Sequence, residues 1–89
     1  MTIKYTKHIY DKLKLPEIMK LKISLNTITN VLNSPNIVDK SIEPHQSVGE
    51  ISKTLSLSVI WKIEGDIITA ITFYPSKKGR YESKILRRR

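Results

Sequence analysis

The chain has 89 residues, no cysteine and a formal net charge of +8 at pH 7. That length allows one small domain, spanning residues 1–89, which buries about 60–65% of the surface its unfolded chain exposes. Disulfides and thiolate metal sites are excluded, and no apolar run approaches the roughly 18–20 residues that span a bilayer.

The segment Met1-Thr2-Ile3-Lys4-Tyr5 lacks the apolar core of a secretory signal, so a cytoplasmic protein is expected. Tyr5, Ile9 and Leu13 recur at i, i+4 and i+8, which predicts an amphipathic helix of about ten residues. Leu15-Pro16 interrupts it, because proline disfavours helix at the residue before it. Pro16 then opens another helical turn carrying Ile18, Met19 and Leu21. Ser24 is suited to cap a second helix with Leu25, Ile28, Val31 and Leu32 on one face, and Asn33-Ser34-Pro35 stops it.

Beyond that point the period changes to two. Ile37 to Glu43 is a candidate first strand, Pro44-His45-Gln46 a loop, and Val48 to Lys53 a weaker strand. Leu55, Leu57, Val59, Trp61 and Ile63 alternate with Ser56, Ser58, Ile60 and Lys62, which gives the clearest strand signal in the chain. Glu64-Gly65-Asp66 forms a tight turn, and Ile67 to Tyr74 returns as the partner strand. The expected fold is α+β, with two N-terminal helices packed on one face of an antiparallel meander of about four strands. A register that pairs Ile63 with Ile67 places Trp61–Thr69, Val59–Ile71 and Leu57–Phe73 on the helix side. Trp61 is expected in the core.

Charge is divided along the chain. Residues 1–22 hold six lysines against Asp11 and Glu17, and residues 77–89 hold seven basic residues against Glu82. Residues 23–76 hold three lysines against five acids. Cations at both ends of a mildly acidic middle point to a polyanionic partner, and phosphate is the commonest one. The basic tail, residues 82–89, is expected to be flexible.

Several segments share an order and spacing with a known group. They are His8, Lys12, Lys20-Leu21-Lys22-Ile23-Ser24, Leu32-Asn33-Ser34-Pro35, Ile71-Thr72-Phe73-Tyr74-Pro75 and Lys78-Gly79-Arg80-Tyr81. Over nearly its whole length the chain resembles the small proteins of the domain of unknown function 4258 family, related to the RelE/ParE-like toxin superfamily. The resemblance implies a RelE-like α+β fold and, for the related toxins, metal-independent ribonuclease activity on mRNA at the ribosome. It implies RNA or the ribosome as partner, and a cognate antitoxin covering the basic face.

Cleaving RNA without a metal requires a base for the 2′-hydroxyl, cations for the crowded phosphorane and an acid for the leaving oxygen. The candidates are Arg80, Tyr74, Lys77 and His8 for catalysis, with Lys62, Lys78, Tyr81, Arg87 and Arg88 holding the RNA. Arg80 comes first, because a guanidinium grips phosphate in a fork and this one follows a strand end and a glycine. Tyr74 either stacks a base or packs on Pro75. Histidine is the side chain suited to carrying protons near neutrality, but His8 lies beside the Tyr5/Ile9 face, where burial against the sheet is expected. Glu43 and His45 form an acid–base pair only if they face one site, and a solvated His45 is the default. No metal or cofactor is expected, since the two histidines are far apart. Non-catalytic nucleic-acid binding, or docking of an acidic protein on the basic tail, are the competing readings.

Overall fold

The computed structural model describes residues 2–88, with the backbone only at 83, 84, 87 and 88. A first strand, β1 (Thr2–Tyr5), precedes three helices, α1 (Lys7–Leu13), α2 (Pro16–Lys20) and α3 (Leu25–Asn33). Four strands follow, β2 (Ile37–Asp39), β3 (His45–Glu50), β4 (Leu55–Glu64) and β5 (Ile67–Lys77), and then a last helix, α4 (Arg80–Arg88). The strands form one five-stranded sheet in the order β1-β5-β4-β3-β2. β1 lies parallel to β5 and every other pair is antiparallel.

The chain is therefore α+β, but not with two N-terminal helices on a four-stranded antiparallel meander. A strand comes first, the sheet is mixed, and a helix follows the last strand. The spacing of Tyr5, Ile9 and Leu13 misled because a strand residue and a helix face can reach the same core. Tyr5 pairs with Ala70 in the sheet, packs against the core beside Ile9, and donates its hydroxyl hydrogen to Thr29 Oγ1. The helix begins only after Thr6, which stays extended at φ −70° and ψ 160°. The segment read as a flexible basic tail is helical from Arg80 to Arg88.

The other helices follow the chemistry of their ends. Leu15 is extended before Pro16, which sits in the first turn of α2. Ser24 caps α3 reciprocally: its Oγ accepts from the Thr27 backbone N–H, and its own N–H donates to Thr27 Oγ1 at 3.1 Å. Ile28 and Val31 of α3 join Ile9, Ile18 and Ile23 against Leu57, Val59, Ala70 and Phe73 of the sheet.

β2 is shorter than expected, since Asp39 turns the chain by accepting from the Ser41 backbone N–H at 2.9 Å. β3 begins at His45, inside the expected loop, and ends at Glu50. Its apolar signal is weak because the helix side of β3 calls for small residues. A Cβ on Gly49 would stand 3.1 Å from Val31, and Ser47 accepts the Trp61 indole N–H at 2.8 Å.

The β4–β5 register is one residue off the expected one at the turn and two beyond it. Glu64 faces Ile67 and Trp61 faces Ala70, but Ile60 faces Thr72 and Val59 faces Phe73. Ile71 has no partner and forms a bulge. The extra residue keeps Phe73 beside Val59 on the helix side. On the other face lie Val48, Ser56 and Ser58, all fully buried, and α4 crosses them with Ile85, also fully buried. Ser56 Oγ donates to Glu82 Oε2 at 3.1 Å and ties α4 to that face.

Trp61 is 5% exposed, as a core position requires, and its ring meets the His45 imidazole edge-on at 4.8 Å between centroids. Trp61→Ala is expected to cost about 3–5 kcal/mol, a large share of the stability of so small a domain. Ser47→Ala, which strands the indole N–H, is expected to cost about 1–3 kcal/mol. Urea unfolding followed by tryptophan emission checks both, and native emission as red as that of the unfolded chain would contradict the burial.

Candidate functional site

The surface of interest forms where β5 runs into α4. Gly79 takes φ +92°, a left-handed conformation suited to glycine, and redirects the chain. Its N–H donates to Glu82 Oε2 at 3.0 Å. Glu82 is the third residue of α4, so it reaches back to the residue before the helix, as one half of a capping box does. The same oxygen accepts from Ser56. The one acid of the C-terminal tail is thus turned inward.

The consequence is electrostatic. Lys77 and Arg80 are exposed, and among the described residues neither has a carboxylate within ion-pair distance. Arg80 opens α4, the end of a helix that favours negative charge. Its cation contributes nothing to that helix and is presented to the solvent.

Tyr74 lies two residues past the bulge pairing, opposite Ser58, and is 45% exposed. Lys12 of α1 reaches across the edge of β5 to it. The Lys12 Nζ sits 4.1 Å from the Tyr74 ring centroid and 5.0 Å from that of Phe73, and donates to the Phe73 carbonyl oxygen. Burial pushes the Lys12 ammonium below the usual lysine range. Tyr81, half-buried, is pushed upward mainly by burial, with Arg80 pulling it back and Tyr74 adding to the rise. A phenol held up in this way donates a hydrogen bond and does not serve as a base near neutrality. Tyr74, Arg80 and Tyr81 thus share one neighbourhood with Lys12, which is not among the catalytic or RNA-holding candidates read from the sequence.

The remaining candidates fall elsewhere. Lys62 pairs with Glu64 at 3.3 Å. It lies seven positions along β4 from Leu55, the partner of Lys77, or roughly 23 Å at about 3.3 Å per residue. Lys78 is bound to Glu50 at 3.2 Å. His8 is exposed in the first turn of α1, not buried against the sheet. The Arg87 and Arg88 side chains lie outside the described residues. Glu43 and His45 do meet, with His45 Nε2 3.3 Å from Glu43 Oε2 and Nδ1 3.0 Å from the Ile42 carbonyl oxygen. His45 pairs with Trp61, toward the opposite end of β4 from Leu55, so this couple is remote from Lys77.

No family model matches the chain, and no curated protein or solved structure matches it either. Among the described residues no helix is long and apolar enough to cross a membrane, and no three His, Asp or Glu side chains gather as a metal-ligand set.

Glu82 holds both the start of α4 and the hydroxyl of Ser56, which is fully buried. Glu82→Ala is expected to destabilise the protein by about 1–3 kcal/mol, through the lost cap and the stranded hydroxyl. Amide hydrogen exchange should show faster opening across Arg80–Arg88 and little change in β4. Unchanged exchange in α4 would mean that Glu82 does not secure the helix.

Proposed function

We propose that the protein binds RNA through the surface around Tyr74, Lys77, Arg80 and Tyr81, and that it is a toxin-like protein that cleaves RNA without a metal. One observation carries the binding half. Glu82 is turned inward, so Arg80 keeps its charge free near an exposed tyrosine. Here a cation with no ion-pair partner among the described residues, Arg80, stands near an exposed aromatic ring, the combination that grips a phosphate backbone and meets a base. Arg80 suits phosphate because its planar fork binds two oxygens at once.

The cleavage half comes from the resemblance to RelE/ParE-like toxins, and the chemistry of the cluster is compatible with it. Arg80 would stabilise the charge that grows on the phosphate in the transition state. Lys12, with its ammonium pushed down by burial, gives up a proton more readily than an exposed lysine. Tyr81, pushed up, remains a donor.

With Lys77, Arg80, Arg87 and Arg88 on phosphates, log K for single-stranded RNA should fall with log salt at a slope of about −3. Arg80→Ala should lower single-turnover cleavage of a mixed RNA pool about a hundredfold while weakening binding modestly, and Arg80→Lys should recover part of the rate. Assays run without divalent metal, with and without ribosomes, separate the two halves. RNA bound and left intact would leave a non-catalytic binding protein, and no binding at low salt would remove the whole reading.

A further inference from the structure

The bulge at Ile71 sends Phe73 into the core and turns Tyr74 to the opposite side of β5. β1 stops at Tyr5, opposite Ala70, so the edge of β5 beyond that point has no neighbouring strand. Lys12 crosses this bare edge. Its ammonium is anchored on the Phe73 carbonyl and lies over the Tyr74 ring, 4.1 Å from the centroid. With Lys12 over the ring, Tyr74 still keeps 45% of its surface exposed. The ring is therefore held in place before any ligand arrives, which lowers the entropy lost on binding. Arg80, six residues further on, has no carboxylate within ion-pair distance among the described residues.

The geometry points to Tyr74 as a one-sided stacking platform for an unpaired nucleobase, with Lys12 as the residue that positions it and single-stranded RNA as the ligand class. This rests on the RNA-binding reading above and narrows it. Bases inside a duplex are stacked on their neighbours and offer no free face, whereas an unpaired base offers one to any aromatic ring. Arg80 would take a phosphate beside that base. Stacking is tolerant of sequence, so the platform prefers strandedness over base identity. The simpler role for Lys12, guarding an open strand edge, needs a charge at the edge but no particular relation to the ring.

The test uses an unstructured RNA 12-mer, alone and annealed to its complement, in fluorescence anisotropy at low salt. One base of the strand is replaced by 2-aminopurine, whose emission is quenched on stacking. Wild type should bind the single strand about tenfold or more tighter than the duplex and quench the probe. Tyr74→Ala should lose about 10–100-fold for the single strand and little for the duplex, abolish the quenching, and leave the salt slope unchanged. Tyr74→Phe, which keeps the ring, should retain the quenching and the single-strand preference. Lys12→Met should weaken the quenching and the single-strand preference without altering the salt slope. A Lys12→Met slope reduced by about one, with both RNA forms weakened alike, would make Lys12 a phosphate contact and overturn its positioning role. Equal affinity for the two forms, with Tyr74→Ala binding as wild type, would overturn the platform while leaving RNA binding intact. Absence of binding to either form would remove the RNA reading and the platform together.

Discussion

One extra residue in β5 sets the rest of the arrangement. Ala70 and Phe73 are three positions apart, so in a regular strand they would face opposite sides of the sheet. Both are fully buried in the core beneath the helices, and this is possible because Ile71 is unpaired and resets the alternation. The same residue marks where the N-terminal chain leaves the sheet. The Thr6 N–H donates to the Ala70 carbonyl at 3.1 Å, and the Thr6 hydroxyl to the Ile71 carbonyl at 2.7 Å. Past that point β5 carries an open edge, blunted by Lys12 and by Pro75, which has no N–H to offer a pairing strand. The exposure of Tyr74, the reach of Lys12 and the burial of Phe73 all follow from that shift.

The two faces of the sheet are held by different forces. Under α1, α2 and α3 the packing is apolar, built on Ile, Leu, Val and Phe. Under α4 it is largely hydroxyl: Ser56 and Ser58 are fully buried, and Thr72 Oγ1, Ser76 Oγ and Glu82 Oε1 are buried without a hydrogen-bond partner among the described residues. Each unsatisfied polar atom costs stability, and Ile85 is the apolar residue of α4 that is fully buried. α4 therefore belongs to the less stable end of the fold, and its seat depends heavily on the local cap at Gly79 and Glu82. That cap also removes the tail's acid from the surface. The hydrogen bonds that fasten the helix are the ones that leave Arg80 unneutralised.

What could be read from the sequence is what strong local chemistry specifies. Ser24 as a cap, Pro16 opening a short helix, the stop at Ser34-Pro35 and the alternation of β4 all stand in the structure. β1 was hidden because it is four residues long and shares Tyr5 with a plausible helical period. The β4–β5 register was missed because a bulge carries no local signal in an apolar run such as Ile67-Ile68-Thr69-Ala70-Ile71. α4 was hidden behind its charge. A run of arginines and lysines reads as a solvated tail, while its positive signal is small: Tyr81 and Ile85 four apart, after a glycine and with Glu82 at the third position. Arg80, Tyr74 and Tyr81 were legible as a group because they are close in the chain. Lys12 was not, since its place depends on an edge created by a strand far away in sequence.

Lys12 is the residue whose presence most needs a reason. Ile9 and Leu13 already supply the core face of α1, and position 12 lies at its margin. Burial pushes the ammonium downward, so holding the charge there works against stability. A carbonyl oxygen and two aromatic rings offset part of that cost. A methionine or leucine of similar length would cover the same apolar surface with no charge to desolvate. Edge protection favours a lysine, but an exposed one would serve as well and would not be desolvated. What distinguishes the observed arrangement is that the ammonium sits over Tyr74, on a ring that the bulge has already turned outward. The cost of the half-buried charge and the orientation of an exposed aromatic ring are coupled through one contact.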